Sequence, residues 1–412
     1  MTAQVRPLGL AVALLLAAGT PAAQPDALVG RWKGAFFPPG DAVPVSLVLS
    51  GDATVPSTFS ATTLGLDGVP VARVDVVGDT VRVSLGGDYG SVALRGLRIG
   101  EAVHGVLYDG AETSPLLLAR SGTRAARGVD LLAQSVGPDA DRADARSHGV
   151  VTSDIARFWD AFDAAPPDRA GAFHDRYVRN ATEGLGHFLR LRVGGADALA
   201  AAVAADSARY AAVRATTLRM HEAVPAIRAA LGRLEALVPE AAYPPVYIVV
   251  GRFTTAGTYT RRSVLIGAEM FDDPQDVVPV AVHEVVHTLQ QGAGLSLLGR
   301  SILEGSADFV TSLALGRVPD EGLHAYGDAH ERALWEAFRR DMHGTDLSGW
   351  LYGRGDDERP GDLGYYVGFK IAEAYYERAD DPGRAVRDIL SVVDYAQFLD
   401  ASGYADRFRA GP

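Results

Sequence analysis

Cysteine is absent from all 412 residues, which excludes disulfides, thiolate zinc ligands and a lipid-anchoring cysteine. A chain like this must rely on its packed core even if it is exported. Long apolar runs are also missing. The run from Leu8 to Ala18 has eleven residues, too short to span a bilayer, and no later segment comes closer. No basic run occurs, and the formal net charge is −12 with nearly all cations arginine. That argues against nucleic acid and anionic lipid surfaces as partners. No repeat at a fixed period is present, so a solenoid is excluded.

What is present divides into zones. Met1 to Ala23 reads as a signal peptide: Arg6, the apolar run, then the small residues Pro21-Ala22-Ala23. The expected location is the periplasm or the medium. At 48% hydrophobic and 22% charged residues the composition is globular, and the length exceeds what one core organises, so two domains are expected. Over 24–122 short alternating runs recur between turn signals such as Gly78-Asp79, Gly86-Gly87-Asp88 and Asp109-Gly110. About eight antiparallel strands without a helix predict an all-β barrel or sandwich. Residues 123–149, rich in Ala, Arg, Asp and Gly, read as a linker. From 150 to 412 the period becomes helical, with β-branched runs at Val246–Val250 and Ser263–Gly267 suggesting a small sheet. The expected fold class is therefore α+β multidomain: a barrel or sandwich followed by a mainly α-helical domain.

The chemistry concentrates in His283-Glu284-Val285-Val286-His287. On a helix, positions i and i+4 share a face, so two imidazoles can reach one ion. Zinc accepts neutral imidazole, and Glu284 is placed to take a proton from water. Flanking valines and Leu289 make the helix apolar nearly all round, Pro279 fits only its first turn, and Gly292 is a natural stop. A buried helix carrying two histidines by accident is the bland alternative, and a third ligand decides against it. The positions three and six residues after His287 hold Gln290 and Ala293, which excludes the metzincin pattern. Further on, Glu304 and Asp308 are again i, i+4. Glu304 serves as the third ligand, and Asp308 suits a hydrogen bond that fixes the tautomer of a ligand histidine, His283 above all.

H-E-x-x-H followed by E-x-x-x-D resembles the gluzincin metallopeptidases, the clan of thermolysin and the aminopeptidase-N type enzymes. The strings HEVVHTLQQ, EGSADFV and GYYVGFKIAEAYYE are similar to those of a bacterial family of predicted zinc-dependent peptidases in that clan. The interval between His287 and Glu304 is shorter than in the aminopeptidase-N pattern, so substrate pockets do not carry over. The resemblance implies a cleft-edge strand that holds extended substrate by backbone pairing. Its place just before the active-site helix points to Val264–Glu269, with Gly267, Ala268 and Glu269 against substrate; Glu269 resembles the carboxylate by which aminopeptidases grip a free amine. An ordinary strand-end carboxylate is the competing reading. Tyr365-Tyr366-Val367-Gly368 resembles the Y-x-x-G string that carries an oxyanion-stabilising tyrosine, a role for Tyr365 or Tyr366. The opening LVGRWKGAFF resembles lipocalin and avidin-like barrels and a small β domain ahead of secreted bacterial hydrolases.

Together these readings predict a secreted zinc peptidase with Zn²⁺ on His283, His287 and Glu304, acting on a peptide or protein. The alternatives are a zinc-bearing binding protein without hydrolytic activity and a lipocalin-like carrier of a small ligand. The presence of Glu284 counts against both, since metal binding alone has no need of it.

Overall fold

The computed structural model describes residues 26–36, 42–52, 54–108, 113–135, 149–164, 169–353, 355–356 and 359–409. The expected signal peptide lies outside them. Eight strands come first: β1 (Gly30–Phe36), β2 (Val43–Leu49), β3 (Thr58–Ala61), β4 (Leu66–Val77), β5 (Thr80–Leu85), β6 (Ala93–Ile99), β7 (Ala102–Tyr108) and β8 (Thr113–Arg120). Each pairs antiparallel with the next, and β8 returns to β1 through pairs running from Trp32↔Arg120 to Phe36↔Leu116, so the sheet is a closed up-and-down barrel. Closure leaves no free edge.

Alternation decides which side chains fill it. In β2, Val43, Val45, Leu47 and Leu49 are buried while Pro44 and Ser46 are exposed, the period of two that a strand imposes. Trp32, Leu47, Phe59, Val83, Leu116 and Leu118 pack together inside. The intervening residues on one side of the barrel, Ala35, Ala102, Leu117 and Ala119, join the core of the helical region instead. They meet Ala126 and Val129 of α1 (Arg124–Ser135) and Ile155 of α2 (Asp154–Phe162). Much of the expected linker is thus α1, a helix docked on the barrel; the apolar spacing of Ala126 and Val129 decided its fate over the polar residues around them. Residues 136–148 lie outside the described set.

The remaining helices are α3 (Arg169–Ala172), α4 (Glu183–Phe188), α5 (Ala196–Ala205), α6 (Ser207–Leu218), α7 (Val224–Leu237), α8 (Val277–Leu289), α9 (Leu297–Leu315), α10 (Glu321–Asp341), α11 (Leu363–Glu377), α12 (Pro382–Leu390) and α13 (Tyr395–Ser402). None of the described helices is long and apolar enough to cross a membrane. Four strands form a small sheet in the order β11 (Gly257–Tyr259), β12 (Val264–Gly267), β10 (Val246–Val249), β9 (Val150–Val151).

This order corrects the expected substrate strand. β12 is interior, parallel to β10 on one side and antiparallel to β11 on the other, so its backbone groups are already committed. Its apolar sequence is the reason: all four residues of β12 are buried, as in strands covered on both faces. The edge beside β12 is β11, just three residues long.

Candidate metal centre

α8 presents His283 and His287 one turn apart, their rings 4.5 Å between centroids and nearly perpendicular. α9 runs past it, started by Ser296, whose side chain accepts the Gly299 N–H at 3.1 Å. From α9, Glu304 reaches between the two rings. Its Oε2 lies 3.0 Å from His287 Nε2 and 3.4 Å from His283 Nε2. One donor atom from each of His283, His287 and Glu304 falls within 4.8 Å of the others, a cluster able to hold a metal ion. Donors of two imidazoles and one carboxylate fit zinc's preferred set.

Both imidazoles are held from behind. His283 Nδ1 lies 2.7 Å from Asp308 Oδ1. His287 Nδ1 lies 2.6 Å from Gln290 Oε1, and the Gln290 amide donates to Leu303 O at 2.7 Å and Ser306 Oγ at 3.0 Å. Because that amide nitrogen is committed to two acceptors, Gln290 Oε1 must accept, so Nδ1 of His287 carries the hydrogen. Nε2 of each ring is thereby left facing Glu304, the orientation metal-binding histidines need. The role of Gln290 escaped the sequence reading, which used this residue only to exclude another pattern. Its position three residues after His287, just past the end of α8, was the available signal.

Charge in the cluster is strongly redistributed. Burial works against a charged His283, but the charge and hydrogen bond of Asp308, with Glu304 behind them, prevail and raise its pKa well above the ordinary value. Burial would raise Glu304, yet hydrogen bonds from both histidines hold its carboxyl well below the usual carboxylate range. Glu284 is raised, chiefly by burial, with His283 and His287 pulling back.

The cluster lies at the floor of a cleft of about 900 Å³. Along one wall runs Thr255–Tyr259, including all of β11. Gly257 packs on Glu284 so closely that a β-carbon there would stand 2.6 Å from Glu284 Oε1, so only glycine allows this approach. Tyr259 stacks on His287 at 5.3 Å, and Arg192 donates to Thr258 Oγ1 at 2.8 Å. On the other side stands Tyr365, its ring 6.1 Å from that of His283. Burial first, then the charge of Glu304, pushes the Tyr365 phenol far up, so it stays neutral and able to donate.

Four other expected site residues lie elsewhere. Tyr366, fully buried, donates to Asp328 Oδ1 at 2.8 Å and packs on Gly327. Neighbours on a helix point about 100° apart, so the two tyrosines could not share the cleft. Gly267 and Ala268 are enclosed within the sheet and its continuation. Glu269 is 2% exposed and accepts the Phe253 N–H at 3.1 Å on Oε1. Its burial raises its pKa to about 7. It fastens the turn leading into β11 and does not line the cleft. Tyr352, by contrast, was missed in the sequence: from a Gly- and Asp-rich loop it reaches Glu304 Oε1 at 2.6 Å.

Barrel, helical region and cleft together define a two-part protein whose metal-capable cluster sits beside an open sheet edge. A family model described as Predicted Zn-dependent protease (DUF2268) matches residues 264–390, the span from β12 through α12 that contains the whole cluster. No curated protein and no solved structure matches the chain.

Proposed function

We propose that this chain is an exported zinc-dependent peptidase of the gluzincin kind. The observation that carries this reading is the convergence of His283, His287 and Glu304 on one point while Glu284 lies against the backbone of an open strand edge. The family match over the same segment supports it. Zinc held by these three side chains would polarise a scissile carbonyl and acidify water beside it.

Everything else falls to the chain's own groups. An extended peptide pairs with the free edge of β11, which sets its carbonyl over the cluster. Glu284, made more basic than an exposed carboxylate by its burial, takes the proton from water and delivers it to the leaving amine. The neutral phenol of Tyr365 donates a hydrogen bond to the oxygen as negative charge develops. Asp308 and Gln290 keep both imidazoles aimed. A carrier role for the barrel draws no support from its interior, where Trp32, Phe59 and their neighbours fill the space. Export rests on Arg6, the run Leu8–Ala18 and the small residues Pro21-Ala22-Ala23.

Metal analysis together with one variant tests this. Purified protein should carry one equivalent of zinc. Glu284→Gln should keep that zinc and lose about two to four orders of magnitude in peptide hydrolysis. Undiminished hydrolysis by the variant would remove Glu284 from the reaction, and metal-free wild type in zinc-supplemented buffer would refute the centre.

A further inference from the structure

Among the described residues, three that are not glycine have positive φ: Phe253, Tyr352 and Asp362. Two of them, Tyr352 (φ 61°) and Asp362 (φ 59°), flank one loop and both line the cleft. A left-handed conformation costs a side-chain-bearing residue about 1–2 kcal/mol, so it persists only where the surroundings insist on it. Here they do. Asp362 Oδ1 accepts the Gly353 N–H at 3.1 Å, Arg359 donates to Gly349 O at 2.8 Å while lying over the Trp350 ring, and Gly364 N–H donates to Trp350 O at 2.8 Å. The loop is tied at several points.

The result of this bracing is the position of one phenol. Although Tyr352 is 60% exposed, its hydroxyl donates to Glu304 Oε1 at 2.6 Å. The same carboxylate turns its other oxygen, Oε2, toward both imidazoles. Glu304 is therefore divided: one oxygen faces the point where the donors converge and the other is capped from the cleft side. A carboxylate with both oxygens free can chelate an ion, filling two coordination positions; a capped one fills a single position. Three single-atom ligands leave a four-coordinate ion one place for water or substrate.

We propose that Tyr352 is a positioning residue that restricts Glu304 to one-oxygen coordination and so keeps a place on the metal open. This rests on the metal-centre reading above. Its test uses the full chain loaded with cobalt(II), whose visible absorption is intense when four-coordinate and weak at higher coordination number. Wild type should show the intense bands. Tyr352→Phe, which keeps the ring and the fold, should still bind one cobalt but lose most of that intensity. With zinc restored, its kcat should fall about 10-fold with KM little changed. Asp362→Ala, which loosens the loop without touching Glu304, should shift the spectrum the same way. A Tyr352→Phe spectrum superimposable on wild type overturns the proposal while leaving the metal centre intact, and so does wild type that binds cobalt with only weak absorption. Wild type that binds neither cobalt nor zinc overturns the metal-centre reading and this proposal with it.

Discussion

The barrel and the helical region treat buried polarity in opposite ways. Among the described residues of the barrel, burial of polar side chains is limited to Ser57, His104 and Ser114, with no carboxylate or guanidinium. The helical region buries Asp154, Arg157, Asp160, Glu269 and Glu304. Burying charge is costly unless partners compensate, and the partners reveal the purpose. Asp154 is met by Arg157 at 2.7 Å and by Thr182, and Arg157 donates again to Asn180 O, so the two charges of this pair offset each other from within. Glu304 instead faces two imidazoles already held from behind, an arrangement that gathers acceptors around one point. Mutually offset charge fastens a fold; two imidazoles and a carboxylate brought to one point form a cluster able to hold an ion.

Three substitutions would break or sharpen that contrast. The largest effect should come from Phe59→Ala in the barrel, which removes a ring 1% exposed and should cost about 3–5 kcal/mol in denaturant unfolding. Zinc affinity of the folded protein should be unaltered; a parallel loss of metal would mean that the two regions are not independent in function. Next is Glu269. Its pKa of about 7 in the fold, against an ordinary 4.5, means that the fold favours the protonated acid. The stabilisation is complete below pH 4.5 and is lost as pH rises through 7, a swing of about 3 kcal/mol. Wild type should therefore weaken relative to Glu269→Gln over that window in unfolding experiments at stepped pH, and parallel curves would contradict the assignment. Asp308→Asn should be the mildest for the fold and the most local in effect, weakening metal binding or activity about 10- to 100-fold without moving barrel stability. Zinc titration matching wild type would reduce Asp308 to an ordinary surface acid.

The barrel was legible because its signal is repetitive. Alternation and turn residues recur at each strand, and the expected set of about eight antiparallel strands is matched by the eight observed. His283, His287, Glu304 and Asp308 were legible because i, i+4 spacing translates directly into a shared helical face. Less readable were features set by tertiary pairing. β11 has three residues, Gly-Thr-Tyr, too few for any period, and so the more apolar β12 drew the role of edge. Tyr365 and Tyr366 are indistinguishable in sequence; helix packing separated them. Gly305 and Gly368 let α9 and α11 approach until a β-carbon on Gly368 would stand 1.7 Å from Ser301 O, and that contact brings Tyr365, not Tyr366, over the cleft. Tyr352 owes its place to a loop whose backbone no composition rule anticipates.

The brevity of β11 has a consequence for selectivity and for solubility alike. Were a peptide to pair there as proposed, a three-residue margin could form few main-chain bonds with it, whatever its sequence. On that proposal, discrimination would come from side-chain contacts with cleft-lining residues such as Arg192, Val280 and Leu323. The same shortness keeps one copy of the protein from zipping onto another through this margin, because short edges are poor templates for intermolecular sheet growth. An edge as short as β11 is thus too narrow to nucleate a fibre.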